Sequence, residues 1–342
     1  MGPMSSKAAP ARSVAVVALS TVLIMVAGDA LGQDVALKPA TGAPMSQAFA
    51  PWAQGEEIVV TPRQPGPAMW RLKKGQAEVL VIGVLPLDFR GERWDLRRVD
   101  RFMNGAAAVY VHRSGIRMGT NNPLLLFKAP GWLARMHLKR GRAIDDAVGP
   151  ALWARYQDES RRLGVTGPID ETLKPFWFAN DFKSAAYRLA ALDPDSATGA
   201  IVQLAKADHV KVVYVDNFKI DKSLDELLDL SDDDGRACFA EVLQETAFTA
   251  AHGREASEAW AAGDLATVRA NTVSLNEDCL IHLPTLSRDI DQRTTDIAGM
   301  VETALAKPGK TVFVLPLETL LKRQGVLERI QAAGVEVTSP AL

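Results

Sequence analysis

The side chains of this chain best suited to hold a metal or move a proton near neutral pH are its five histidines: His112, His137, His209, His252 and His282. Their spacing offers no ready-made metal site. No histidine pair stands as H-E-x-x-H on one helix face, and neither Cys238 nor Cys279 has a C-x-x-C partner. His282 stands three residues from Cys279, a single imidazole beside a single thiol, well short of a structural zinc's ligand set. Among the carboxylates, Asp232, Asp234 and Glu241, with Gly235, fall at calcium-loop spacing, but the first ligand position is Leu230. Without that carboxylate the stretch reads as a helix N-terminus, where acids meet the positive end of the helix dipole. The run Pro308-Gly309-Lys310-Thr311 resembles the tail of a phosphate loop, yet residue 304 is alanine where the loop needs glycine. It also precedes an apolar run instead of following one. The chain has no G-x-S-x-G and no G-x-G-x-x-G.

Three further features bear on compartment and partners. Lys7 and Arg12 flank an apolar run, Val14 to Ala27, which is followed by Ala30-Leu31-Gly32. This is the pattern of a cleaved signal peptide over residues 1–32, with Gln33 as the mature start. An uncleaved anchor is the alternative reading. Periplasmic export is therefore expected, with no transmembrane helix in the mature chain. In an oxidising compartment Cys238 and Cys279 are expected to pair, closing a loop of about 42 residues and contributing roughly 4 kcal/mol by chain entropy. Removing residues 1–32 leaves 37 basic against 40 acidic side chains, a net charge of −3, which excludes a nucleic-acid binder driven by counterion release. Lys128, Arg135, Lys139, Arg140 and Arg142 surround Trp132 and Leu133, a basic face that either meets anionic lipid or is solvated.

The elements that must position these residues follow from hydrophobic pattern. Residues 33–67 are rich in Pro and Ala and read as a linker with a short strand at 56–60. Trp70 opens an α/β domain spanning 68–342. Strands are expected at 77–85, 106–112, 209–217, 310–316 and 335–338, with residues 123–127 either a strand or a helix start. Helices are expected at 94–105, 131–141, 145–164, 234–252, 254–272, 284–306, 317–324 and 326–333. This alternation predicts a mostly parallel or mixed sheet flanked by helices. Two of its strands end alike, in Val84-Leu85-Pro86-Leu87 and Val314-Leu315-Pro316-Leu317. Proline there cuts the strand ladder and turns the chain over the sheet's carboxyl rim, where α/β folds bind ligands.

Taken in order, these segments resemble the TraB/GumN-like proteins. The opening "PAMWRLKKGQAEVLVIGVLPL", with Trp70 and Gly83, matches a Trp-containing strand followed by a strand ending in G-x-x-H. Trp260, Gly263 and Asp264 in "EAWAAGDLATV" match a W-x-x-G-D segment. Arg293 stands where the family has an arginine early in the helix before the last main strand. The ending, with Gly325 and Gly334, matches the family's final strand-and-helix turns. The resemblance implies a fold shared with ChaN- and erythromycin-esterase-like proteins. In that fold two pseudo-related halves bring two G-x-x-H motifs to one cleft, and some members look like metal-dependent proteases.

This chain departs at the decisive places. The first histidine position is Pro86, and the second falls at Thr319, give or take one residue, beside Glu318. An acid often found after the next strand falls near His112. Proline offers a metal no donor and threonine a poor one, so no metal and no cofactor are expected. The remaining cleft candidates are Gly83, Pro86, Asp88, His112, Arg293, Glu318 and Thr319. The leading expectation is a non-catalytic exported protein that binds a peptide or envelope protein in this cleft. A hydrolase with a rewired site using His112, Glu318 or Asp88 is the alternative, and an envelope or polysaccharide-assembly factor is a third reading.

Overall fold

The computed structural model describes residues 66–90, 94–112, 125–194, 196–215, 220–273 and 283–338. The expected leader, the short strand at 56–60, Cys279 and His282 lie outside the described residues. Strands β1 (Met69–Lys74), β2 (Ala77–Val84), β4 (Ala106–Val111), β6 (Lys211–Tyr214), β7 (Gly309–Pro316) and β8 (Glu336–Thr338) make one six-stranded sheet. Its order is β6-β4-β7-β2-β1-β8. Strands β3 (Asp88–Phe89) and β5 (Leu192–Asp193) form a separate antiparallel pair. The helices are α1 (Arg97–Met103), α2 (Leu125–Met136), α3 (Ile144–Val148), α4 (Pro150–Leu163), α5 (Pro175–Leu189), α6 (Ser196–Ala207) and α7 (Ile220–Leu228). They continue with α8 (Asp232–Ala262), α9 (Leu265–Asn271), α10 (Pro284–Leu305), α11 (Leu317–Leu321) and α12 (Val326–Ala332).

The sheet is mixed and mostly parallel. Strands β2, β7, β4 and β6 run the same way, while β1 runs against both β2 and β8. A two-residue turn joins β1 to β2, with Gly75 at φ 60°, a conformation glycine adopts without steric cost. Burial follows position. Central β2 is buried along nearly its whole length, as expected of a strand covered on both faces, whereas no residue of edge strand β6 is fully buried. Trp70, Val81 and Phe313 are neighbours across β1, β2 and β7 and are fully buried, each side chain contributing roughly 1.5–3 kcal/mol or more by leaving water. A second core lies among the helices, where Phe178, Phe182 and Phe239 gather around Tyr156.

Several elements depart from the pattern-based reading. Residues 234–252 and 254–272 do not form two helices that meet at Gly253. A single helix, α8, runs through that glycine and ends at Gly263. Gly253 serves packing here, because a Cβ would stand 2.8 Å from Leu192 Cδ1. Residues 175–207, to which the pattern assigns no element, form α5 and α6. Pro175 at the first turn starts α5, and its apolar face of Phe178, Phe182 and Ala186 packs on α8. Residues 125–127 start α2, which ends at Met136 short of the expected 141. Helix α11 stops at Leu321, before the expected 324.

Two of the basic side chains expected beside Trp132 are paired within the fold. Arg135 pairs with Asp225 and Asp229 at 2.6 and 2.7 Å, and Arg142 pairs with Asp232 at 2.6 Å. These pairs lower the positive charge of that face. Asp232, Asp233 and Asp234 occupy the first turn of α8, where the Ser231 hydroxyl caps the helix by accepting from the Asp234 amide.

Candidate functional site at the carboxyl rim

The two strands with matching ends are immediate neighbours. In the parallel pairing of β2 with β7, Gly83 lies beside Leu315 and Val84 beside Pro316. The pairing ends there, with Pro86 following on one chain and Glu318 and Thr319 following on the other, in the first residues of α11. Pro86, Glu318 and Thr319 are all half-buried. Pro316 caps α11, so β7 turns directly into a helix, while β2 continues into β3.

The glycine, tryptophan and aspartate motifs around this rim are structural. A Cβ on Gly83 would stand 2.5 Å from Leu317 Cδ1 and 3.0 Å from the Trp70 ring, so only glycine fits. The Trp260 indole donates to the Gly83 carbonyl at 2.6 Å and packs edge-on against Trp94. Three residues later Gly263 ends α8 in the left-handed conformation, at φ 77°. Asp264 then caps α9, accepting from the Thr267 amide at 3.0 Å and its hydroxyl at 2.6 Å. Those bonds, the hydroxyl's first, hold the Asp264 carboxyl below the usual range. Gly325 turns so tightly before α12 that a Cβ would meet three backbone oxygens within 2.9 Å. Gly334 ends α12 at φ 76°.

The polar candidates occupy different walls. His112 follows β4, its amide donating to the Val314 carbonyl of β7 at 2.9 Å, and is only 3% exposed. Its ring faces α10, with Nε2 3.3 Å from Arg293 Nη1. Arg293 in turn lines a 520 Å³ cavity with Tyr110, Val213, Tyr214, Asp289 and Asp296. Asp88 is buried in β3, in register with Asp193 of β5. That short strand rests on α8, where the Phe89 amide donates to the Ser257 hydroxyl at 2.8 Å. Cys238 is buried in α8 among Phe176, Leu227 and Leu286.

Sequence reasoning missed the cavity's other lining residues. Their signal was present in the helical spacing of Asp289, Arg293, Asp296 and Met300, which puts them on one face of α10. What the sequence lacked was the knowledge that this face looks along β4 and β6.

A divalent metal does not fit the rim. Pro86 has no donor atom, and the imidazole of His112 faces a guanidinium, whose positive charge opposes a bound dication. Among the described residues, no three His, Cys, Asp or Glu side chains are arranged to hold a metal ion.

A family model described as the TraB/PrgY/gumN family matches residues 68–339. No curated protein matches the chain, and no solved structure does.

Proposed function

The chain belongs to the TraB/PrgY/gumN family, and from that premise we propose that it is a non-catalytic, exported binding or regulatory protein of the cell envelope. The observation that carries this reading is the β2–β7 register, which brings the two strand ends side by side; Pro86 follows one end and Glu318 and Thr319 the other, where the resemblance implies imidazoles. The side-by-side strand ends also support two pseudo-related halves that meet at the rim. The ligand belongs in the 520 Å³ cavity between α10 and the β4–β6 part of the sheet, and a peptide segment of an envelope protein suits its mix of Arg293, Asp289, Asp296 and tyrosines. Export rests on the leader pattern of residues 1–32; no helix among the described residues is long and apolar enough to cross a membrane. In that compartment Cys238 pairs with Cys279, a reading supported by the lack of a free cysteine among the described residues.

The test is elemental analysis of the purified protein, before and after incubation with zinc, manganese or cobalt, alongside a broad peptide-hydrolysis screen. The expected result is no stoichiometric metal and no turnover. One equivalent of tightly held metal together with hydrolysis would sink the proposal. It would favour a rewired hydrolase instead, a reading that draws on His112 and Glu318 following the adjacent parallel strands β4 and β7. Mass spectrometry of the periplasmic form tests the leader and the cysteine pair in one experiment, through an N-terminus at Gln33 and a mass that rises on reduction and alkylation. A role in polysaccharide assembly has no structural observation to favour it.

A further inference from the structure

We propose that β6 is the interface for a second copy of this chain, paired antiparallel about a two-fold axis perpendicular to the sheet. Strand β6 is the terminal strand of the sheet, with β4 as its one neighbour among the described residues. An edge strand is a template for another strand unless extreme shortness, charge, proline, a bulge or a covering element protects it, and β6, four residues long, carries its one charge, Lys211, at its start. Its sequence, Lys-Val-Val-Tyr, has no proline, and the two central residues are the apolar, β-branched Val212 and Val213.

The surface beside this edge is graded in charge along its length. Two cavities, of 420 and 520 Å³, lie along it and share Tyr110, Val213 and Met300 as their lining. At the end where β6 starts, the lining includes Lys211, Lys307 and Lys310. At the end where β6 finishes, it includes Asp289 and Asp296, which outweigh the single positive charge of Arg293 beside them. Strand β6 and helix α10 run in opposite directions past each other, so both contribute to this gradient.

An antiparallel two-fold reverses one copy relative to the other. Lysines of each copy then meet aspartates of its mate, twice over, while the apolar middles coincide. Parallel pairing would set lysine against lysine and aspartate against aspartate. A surface that complements itself only when reversed suits an isologous dimer. With strands about 4.8 Å apart, the two α10 helices would stand on the same face and wall the cavities from both sides. Such a dimer forms whether or not the cavity takes the ligand proposed above.

The experiment is sedimentation equilibrium of the purified protein at low and high salt, with variants at exposed side chains whose folding is checked by circular dichroism. The wild type should show a reversible dimer of twice the monomer mass that weakens with salt. The pair Lys211→Glu with Lys307→Glu should weaken association at least about tenfold, and so should Asp296→Lys. Combining all three substitutions should restore dimerisation, because the gradient is then inverted but still self-complementary. A protein that stays monomeric at every concentration overturns the proposal. So does a dimer indifferent to these charges, or a combined variant that fails to recover.

Discussion

At the β2–β7 end of the carboxyl rim the space beside Gly83 is filled. Leu317, Leu320 and Trp70 crowd the place a Cβ would take, and Trp260 holds the Gly83 carbonyl. At the β4–β6 end the same rim gives onto a cavity of 520 Å³, and the polar pair His112 and Arg293 stands between helix and sheet. One half is packed tightly enough to leave the Trp70 and Trp94 indole nitrogens buried without a hydrogen-bond partner, and the other has room. The contrast locates the open space of the carboxyl rim. It lies away from the paired strand ends, at the side of the sheet where the last strand is short and half-exposed.

Substitutions can break the closed half and leave the open half standing. The largest effect is expected for Trp260→Ala, which empties a fully buried site and strands the Gly83 carbonyl, at a cost of about 3–5 kcal/mol in urea unfolding. Next comes Gly83→Ala. The added methyl overpacks against Leu317 and Leu320, costing about 1–3 kcal/mol, and Leu317→Ala in the same chain should recover less than its own loss would suggest, since the two sites couple. Asp264→Ala removes the α9 cap and should cost about 1 kcal/mol, with Asp264→Ser recovering most of it.

The helical lobe offers a comparison governed by charge. Burial first, and then the carboxylate of Asp170, push Asp181 up to about 6, with Arg188 opposing. The folded state thus disfavours the ionised form. The penalty is absent below the unfolded value of 3.8, grows as pH rises, and is complete above about 6. Asp181→Asn should therefore raise stability by about 1 kcal/mol at pH 7 after discounting for solvent screening, and by almost nothing near pH 4. Urea midpoints at the two pH values measure this. The smallest effect belongs to the open half. Gln292→Ala on the cavity wall should change stability by no more than about 0.5 kcal/mol, and a larger loss would mean that this half is as tightly built as the other.

Much of the scaffold was readable because its signals are local. The apolar runs of β2, β4 and β7 and the two proline-bearing strand ends each act within a few residues, whereas the helix expected over 254–272 is broken at Gly263 and Asp264. Gly253 was misread because a glycine in a helical run means a stop in sequence, while here it means close approach of Leu192, which is 61 residues away in the chain. Helix α5 escaped because its apolar residues cover a broad face, which blurs the helical period. The β2–β7 pairing ends at Val84 and Pro316, so strand register does not reach Pro86 or Thr319, and their correspondence rests on sequence spacing alone.

The sequence by itself determined the alternation of strands and helices, the resemblance to the family, and the absence of histidine from both strand ends. These depend on residue type and short-range pattern. Only the tertiary structure decided that β2 and β7 lie side by side, that His112 turns toward Arg293, and that the open cavity runs beside β6. Each of these brings together residues far apart in the chain, and such contacts are selected by burial and strand register across the whole sheet.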